Sequence, residues 1–306
     1  MAIPTVHDWT EHKLIGRIAR RMQGLRSSSV RVGIGDDAAV LECPRGFLLL
    51  FASDMFVEGV HFHRRLLPAV WIGWKALAAN LSDIAAMGGL PCWAVVSLGL
   101  PQTIPVPFVD GLYRGLKRCG RRFGVPIVGG DTVRSPQVVI DVAVVGKVRA
   151  EHLCLRTGAR VGDVLCVTGR LGGSYPSGRH ARFIPRLREA QQLLRRIPIH
   201  AMMDLSDGLA SDLWQMSRAS HRILRIDADR VPQSAGVKTL NQALTDGEDF
   251  ELLFAVSSQD AARLPHRVGR CPITGIGSVV RSGVGVELRK ADGRVHPLQP
   301  GGFRHF

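Results

Sequence analysis

Seven aspartates raise the chemical question in this chain: Asp36, Asp37, Asp54, Asp83, Asp131, Asp204 and Asp207. They stand beside glycine, serine or other small residues, where apolar runs end or helices open. An aspartate beside a glycine is by itself an ordinary turn. As a set, these suggest something else. Hard cations such as Mg²⁺ take oxygen ligands, one or two carboxylates each, with water and substrate phosphate completing the shell. Carboxylates that converge repel strongly unless cations lie among them. The set therefore points to a phosphate site holding several Mg²⁺ ions. Gly129 and Gly130 ahead of Asp131 fit that idea, because glycine lets the backbone approach a phosphate closely. The chain has no G-x-x-x-x-G-K-[ST] loop and no H-R-D or D-F-G set, which excludes a P-loop enzyme and a protein kinase.

The elements that must position these acids alternate. Lys75 to Met87 reads as a helix, apolar nearly all round and stopped by Gly88-Gly89 and Pro91. Asn80, Ser82 and Asp83 sit inside it, and a buried carboxylate is costly unless a cation or donors meet it. Asp83 is then either a satisfied structural acid or a metal ligand. Before it, an amphipathic helix is expected over residues 11–22. A β-like stretch from Val30 to Val40 is interrupted at Gly33 to Asp37, and a buried strand from Phe47 ends at Ser53-Asp54. After it come a strand over Trp93 to Leu100, a helix over Phe108 to Phe123 and a short strand ending at Gly129 to Thr132. A further strand spans Val138 to Val148. Charge and glycine punctuation over 149–160 mark a boundary. Beyond it, strands end at Thr168, Asp204 and Val256, and a helix opens at Ser206-Asp207-Gly208 with Asp207 in its first turn. The fold class is α/β (α+β), as two α/β domains over residues 1–149 and 150–306.

Composition narrows the class. The chain has 306 residues, 45% hydrophobic and 22% charged, as in a globular protein of two domains. No apolar run reaches the length of a membrane span. The six cysteines are scattered without a C-x-x-C pair, which fits a reducing cytoplasm and argues against zinc. The net charge of +14 raises nucleic-acid binding as a possibility. The arginines are dispersed, however, with no basic tail and no aromatic-rich RNA-binding signature, so a solvated arginine-rich surface is the better reading.

The motifs, taken in order, resemble the thiamine-monophosphate kinase family, of the ATP-dependent superfamily that includes aminoimidazole ribonucleotide synthetase and selenophosphate synthetase. The matching segments are Gly33 to Val40, Ser53 to Phe62, Lys75 to Gly88, Gly129 to Thr132, Arg156 to Ala159, Asp204 to Leu209 and Gly247 to Phe254. Gly302 to Phe306 is similar to the family's terminal Gly-Tyr-Asp-His-Phe. The resemblance implies that Asp37, Ser53, Asp54, Asp83, Asp131, Asp204 and Asp207 hold Mg²⁺. It implies that Gly130, Asp131, Arg156 and Ser206 contact ATP as co-substrate, and that His61, Glu248 and Phe303 contact thiamine monophosphate. It also implies a homodimer paired through the N-terminal sheets, and phosphoryl transfer to give thiamine diphosphate. For three residues a plainer role stands beside this one: a core histidine for His61, C-terminal packing for Phe303, and a turn for Glu248-Asp249. Another synthetase of the superfamily, or a non-catalytic or nucleic-acid-binding protein with the same fold, is the alternative. The segments Ser174 to Arg186 and Ser234 to Leu244 are shorter than the family's, and Asp246 replaces its usual glycine.

Overall fold

The structure, a computed structural model, describes residues 30–32, 36–43 and 46–303. The helix expected over residues 11–22 lies outside them. The first sheet contains β1 (Val30–Val32), β2 (Ala39–Glu42), β3 (Phe47–Val57), β4 (Leu90–Leu100), β5 (Ile127–Arg134) and β6 (Val139–Arg149), in the order β1-β2-β3-β6-β4-β5. Helix α1 (Ala69–Ala86) joins β3 to β4, and α2 (Val106–Phe123) carries the parallel crossover from β4 to β5.

Two strands run further than their composition suggests. β3 continues through Ser53 and Asp54 to Val57, because β6 pairs with it residue for residue from Phe47↔Arg149 to Val57↔Val139. A complete ladder outweighs the low strand propensity of one aspartate. Gly129 to Thr132 likewise lie within β5 and not in a loop after it. Gly130 has φ +150°, and a Cβ there would fall 1.8 Å from the Val96 carbonyl oxygen on β4. That close strand approach accounts for the glycine.

Helix α1 is buried on nearly every side because it is packed from both halves of the chain. Ala76, Leu77, Ile84 and their neighbours share one apolar cluster with Leu50 and Val144 of the first sheet and with Phe183, Leu187, Met202 and Phe254 of the second half. Where α1 crosses α2 the backbones touch, and a Cβ at Gly115 would lie 1.9 Å from the Val70 carbonyl oxygen.

The second half contains β7 (Val164–Thr168), α3 (Leu187–Leu194), β8 (Ala201–Asp204), α4 (Leu209–Ser220), β9 (Arg222–Asp227), α5 (Leu240–Thr245), β10 (Leu252–Val256), α6 (Ser258–Ala261), β11 (Arg267–Val268), β12 (Cys271–Ser282), β13 (Gly285–Arg289) and β14 (Val295–Pro297). Its sheet runs β14-β13-β9-β12-β7-β10-β8, with β11 paired to β12. β7, β8 and β10 bury both faces: Cys166, Met202 and Phe254 pack toward α1, while Leu165, Met203 and Leu253 pack in a second cluster with Leu213 of α4. This is why those strands read as continuous apolar runs. β8 is the edge strand on the α1 side, so its last residue, Asp204, emerges beside Ser82 of α1.

α4 begins one step later than its sequence suggests. Gly208 has φ +113°, outside the helical region, and caps the helix, which starts at Leu209. Asp207 therefore precedes the helix, and the first-turn acid is Asp212, whose Oδ2 accepts the Gly208 N–H at 3.2 Å.

Candidate active site

Four elements deliver carboxylates to one place. Asp37 follows the bridge residue Asp36, Asp54 lies on β3, Asp83 on α1, and Asp204 ends β8. Oxygens of Asp37, Asp83 and Asp204 all lie within 4.8 Å of one another. Asp54 joins them electrostatically. Burial, then the charges of Asp141 and Asp37, push its carboxyl up to about 6. Burial, then Asp54, Asp204 and Asp37, hold Asp83 well above the carboxylate range. Asp204 is pushed up to about 8 by burial and by Asp37, against the Ser82 Oγ that donates to its Oδ2 at 2.7 Å.

The cation that meets this cluster is Arg156, from the one-turn helix Arg156–Gly158 between the sheets. Its Nη2 and Nε donate to Asp37 Oδ1 at 2.5 Å and Oδ2 at 3.1 Å, and its backbone N–H donates to Asp36 Oδ2 at 3.2 Å. Nη1 donates to Gln215 Oε1 at 2.7 Å, and Gln215 Nε2 donates in turn to Asp207 Oδ2 and Asp212 Oδ1, both at 3.3 Å. One guanidinium does not neutralise this many carboxylates in a buried setting, where an uncompensated charge is costly. Bound divalent cations would let the cluster ionise, and an all-oxygen donor set suits Mg²⁺. The residues present therefore fit the metal.

The structure separates other members of the expected set. Ser53 and Asp54 are neighbours on a strand, so they face opposite sides of the sheet. Asp54 faces α1, while Ser53 is exposed on the other side and donates to Asp141 Oδ1 at 2.9 Å. Asp131 is exposed on β5, paired in register with Ser97, and lies outside the Asp37–Asp83–Asp204 group. Gly130 is beside it on the same strand. Ser206 lies in the turn after β8, where its carbonyl accepts the Glu248 N–H at 2.7 Å. Sequence reasoning assigned no role to Ser82, Asp212 or Gln215. Asp212 and Gln215 share one face of α4 with the loop of Asp207, a spacing that could have revealed them.

Two of the three residues expected to contact the acceptor meet, and Lys75 ties the third, Glu248, to the His61 segment. The His61 and Phe303 ring centroids are 6.2 Å apart, and Phe56 meets His61 edge-on at 5.5 Å. The Val57 N–H donates to His61 Nδ1 at 3.0 Å, so the neutral ring carries its proton on Nε2. Lys75 Nζ donates to the His61 carbonyl at 2.9 Å and forms an ion pair with Glu248 Oε1. Phe303 is 41% exposed, and its N–H donates to the Asp207 carbonyl at 3.1 Å. The chain end thus folds back onto the acidic loop as far as Phe303. Residues 304–306 lie outside the described residues.

Comparison with known proteins agrees with this geometry. The family described as AIR synthase related protein, N-terminal domain, matches residues 35–148, and its C-terminal domain counterpart matches residues 160–289. A thiamine-monophosphate kinase of Rhodopirellula baltica is 37% identical over 294 residues, spanning 90% of this chain and 92% of that protein. One of Synechococcus elongatus is 35% identical over 299 residues, spanning 89% and 91%. The solved structure of AaThiL complexed with AMPPCP and TMP aligns over 100% of both chains with a TM-score of 0.86 at 30% identity. The chain belongs to the thiamine-monophosphate kinase family, within the AIR synthase related proteins.

Proposed function

We propose that this protein transfers the terminal phosphoryl group of ATP to thiamine monophosphate, giving thiamine diphosphate. The observation that carries the reading is the full-length likeness to a structure described as holding AMPPCP and TMP, in a chain whose own acids converge. Asp37, Asp54, Asp83 and Asp204 are the first choice for holding Mg²⁺, with Asp207 at the margin. When bound, Mg²⁺ neutralises phosphate charge and aligns the reacting oxygens.

The chain's own groups supply binding and orientation. Arg156 offers a guanidinium fork beside the acids for ATP phosphate. Ser206 and the Asp207 loop border the same space. His61, Glu248 and Phe303 form an acceptor wall, with Phe303 as a flat apolar face for a thiazolium and Glu248 as an acceptor for an aminopyrimidine. The acceptor is already an anionic phosphate, so orientation and charge matter more than a general base. Incubation of the purified protein with ATP, Mg²⁺ and thiamine monophosphate should yield thiamine diphosphate in step with ADP. No product, together with salt-sensitive binding of DNA or RNA, would sink the reading.

A homodimer through the first sheet is part of this proposal. α1 covers one face of that sheet, against β3, β6 and β4, and α2 packs on α1. The other face exposes Phe51, Met55, Trp93, Val95 and Val133, with Trp93 51% exposed. An apolar face of this kind favours association with a second copy. Ser53 and Asp131 lie on this face, and Gly130 lies beside them on β5. Their metal and ATP roles therefore belong with the assembled dimer. A division into domains at residues 149 and 150 is supported by the end of β6 at Arg149 and the start of the second sheet at Val164. Among the described residues no helix is long and apolar enough to cross a membrane. All six cysteines are free, which supports a cytoplasmic setting.

A further inference from the structure

Lys75 is the only buried lysine or arginine among the described residues, at 1% exposure. It projects from α1, whose other core positions are almost all apolar. Its stem is enclosed by the core, and the Phe56 ring centroid is 5.9 Å from Nζ. Burial lowers the ammonium's pKa, and Glu248 opposes that effect. The ammonium links two separate parts of the chain: the His61 carbonyl before α1 and the Glu248 carboxylate before β10.

Glu248 is held to receive it. Its backbone has φ +51°, a conformation that costs a non-glycine residue energy and persists only where its surroundings impose it. Those surroundings are hydrogen bonds on both sides. The Glu248 N–H donates to the Ser206 carbonyl at 2.7 Å, and Ser174 Oγ donates to the Glu248 carbonyl at 2.6 Å. The side chain keeps 26% of its surface accessible, so the carboxylate can accept from a ligand while Lys75 holds Oε1.

We propose that Lys75 is a positioning and specificity-determining residue of the acceptor site. It locks the Glu248 carboxylate against the His61 segment, so that the site takes an aminopyrimidine donor in one orientation. The inference rests on the thiamine monophosphate reading above.

The test uses the full chain and four variants: Lys75→Met, Lys75→Arg, Glu248→Gln and the double variant Lys75→Met/Glu248→Gln. Steady-state kinetics and calorimetric titration with thiamine monophosphate are the readouts. Lys75→Met should raise the KM and Kd for thiamine monophosphate roughly 10- to 100-fold, the range for losing a hydrogen bond to a charged group, while the KM for ATP holds. Lys75→Arg should regain part of the loss. The two single effects should not add in the double variant, because the pair acts as one unit. The double variant removes both charges, so it folds even if Lys75→Met strands an unpaired carboxylate and does not. In that case a KM in the double variant equal to that of Glu248→Gln supports the proposal. Equal losses for ATP and thiamine monophosphate, additive effects, or wild-type affinity in Lys75→Met would each overturn it. If the wild-type protein neither binds nor phosphorylates thiamine monophosphate, the underlying reading falls and takes this inference with it.

Discussion

Arg156 and Asp37, 119 residues apart, form a two-point hydrogen bond at the centre of the acidic cluster. This guanidinium is the counter-charge that meets the carboxylates, and in the proposed reaction its fork would pass from Asp37 to an ATP phosphate. Arg156→Lys keeps the charge and loses the fork. It should lower kcat/KM for ATP roughly 10- to 100-fold, the range for losing a charged hydrogen bond. The KM for thiamine monophosphate should move much less. Initial rates with each substrate varied in turn would check this.

The raised carboxyls predict a pH dependence of stability without metal. Asp54 and Asp204 are held up to about 6 and about 8, above the ordinary carboxylate range they recover on unfolding. Over that interval the folded state binds more protons than the unfolded one, so stability falls as pH rises. With a chelator present, Tm should decline from about pH 4, where these carboxyls ionise in the unfolded chain, to about pH 8, where the last of them ionises in the folded one. Added Mg²⁺ should abolish most of the decline, because it binds the ionised cluster. A Tm that rises with pH in chelator would contradict this.

Asp83→Asn separates stability from function. It removes one of several repelling carboxyls, so the metal-free Tm should hold or rise. It also replaces an anionic ligand with a weaker neutral one, and activity should fall by about 100-fold or more. Wild-type turnover at unchanged Mg²⁺ dependence would count decisively against the metal assignment.

Trp93→Glu places a charge on the uncovered face of the first sheet. Trp93 is half exposed in the single chain, so the fold should survive. Sedimentation at micromolar concentration should show the wild type as a dimer and the variant shifted to monomer. A wild-type monomer would refute the assembly.

Deletion of residues 301–306 removes Phe303 and its anchor on Asp207. The lost cation–π contact is worth on the order of 1 kcal/mol, so the KM for thiamine monophosphate should rise several-fold. ATP binding should stay nearly intact. An unchanged KM would make Phe303 a packing residue only.

Local sequence information determined a good deal here. The apolar run around Asp83 identified a buried helix holding a carboxylate, because burial on all sides leaves no polar stripe. The run of β7, Val164 to Thr168, matched the structure for the same reason. The setting beside small residues singles out seven aspartates in the sequence, and Asp37, Asp83 and Asp204 are the three whose oxygens the structure brings within 4.8 Å of one another. Tertiary structure decided the rest. Ser53 and Asp54 are indistinguishable by spacing, yet strand pleating sends one to each face, and only the register with β6 says which. Asp131 looked like Asp54 in sequence but lies on the edge strand β5. Lys75 read as an ordinary helix former, and Glu248, 173 residues away, as a turn or a ligand. Their pairing depends on α1 being packed between both halves of the chain. Propensity and spacing act over a few residues, whereas the meeting of two buried charges is decided by the order in which sheets and helices stack.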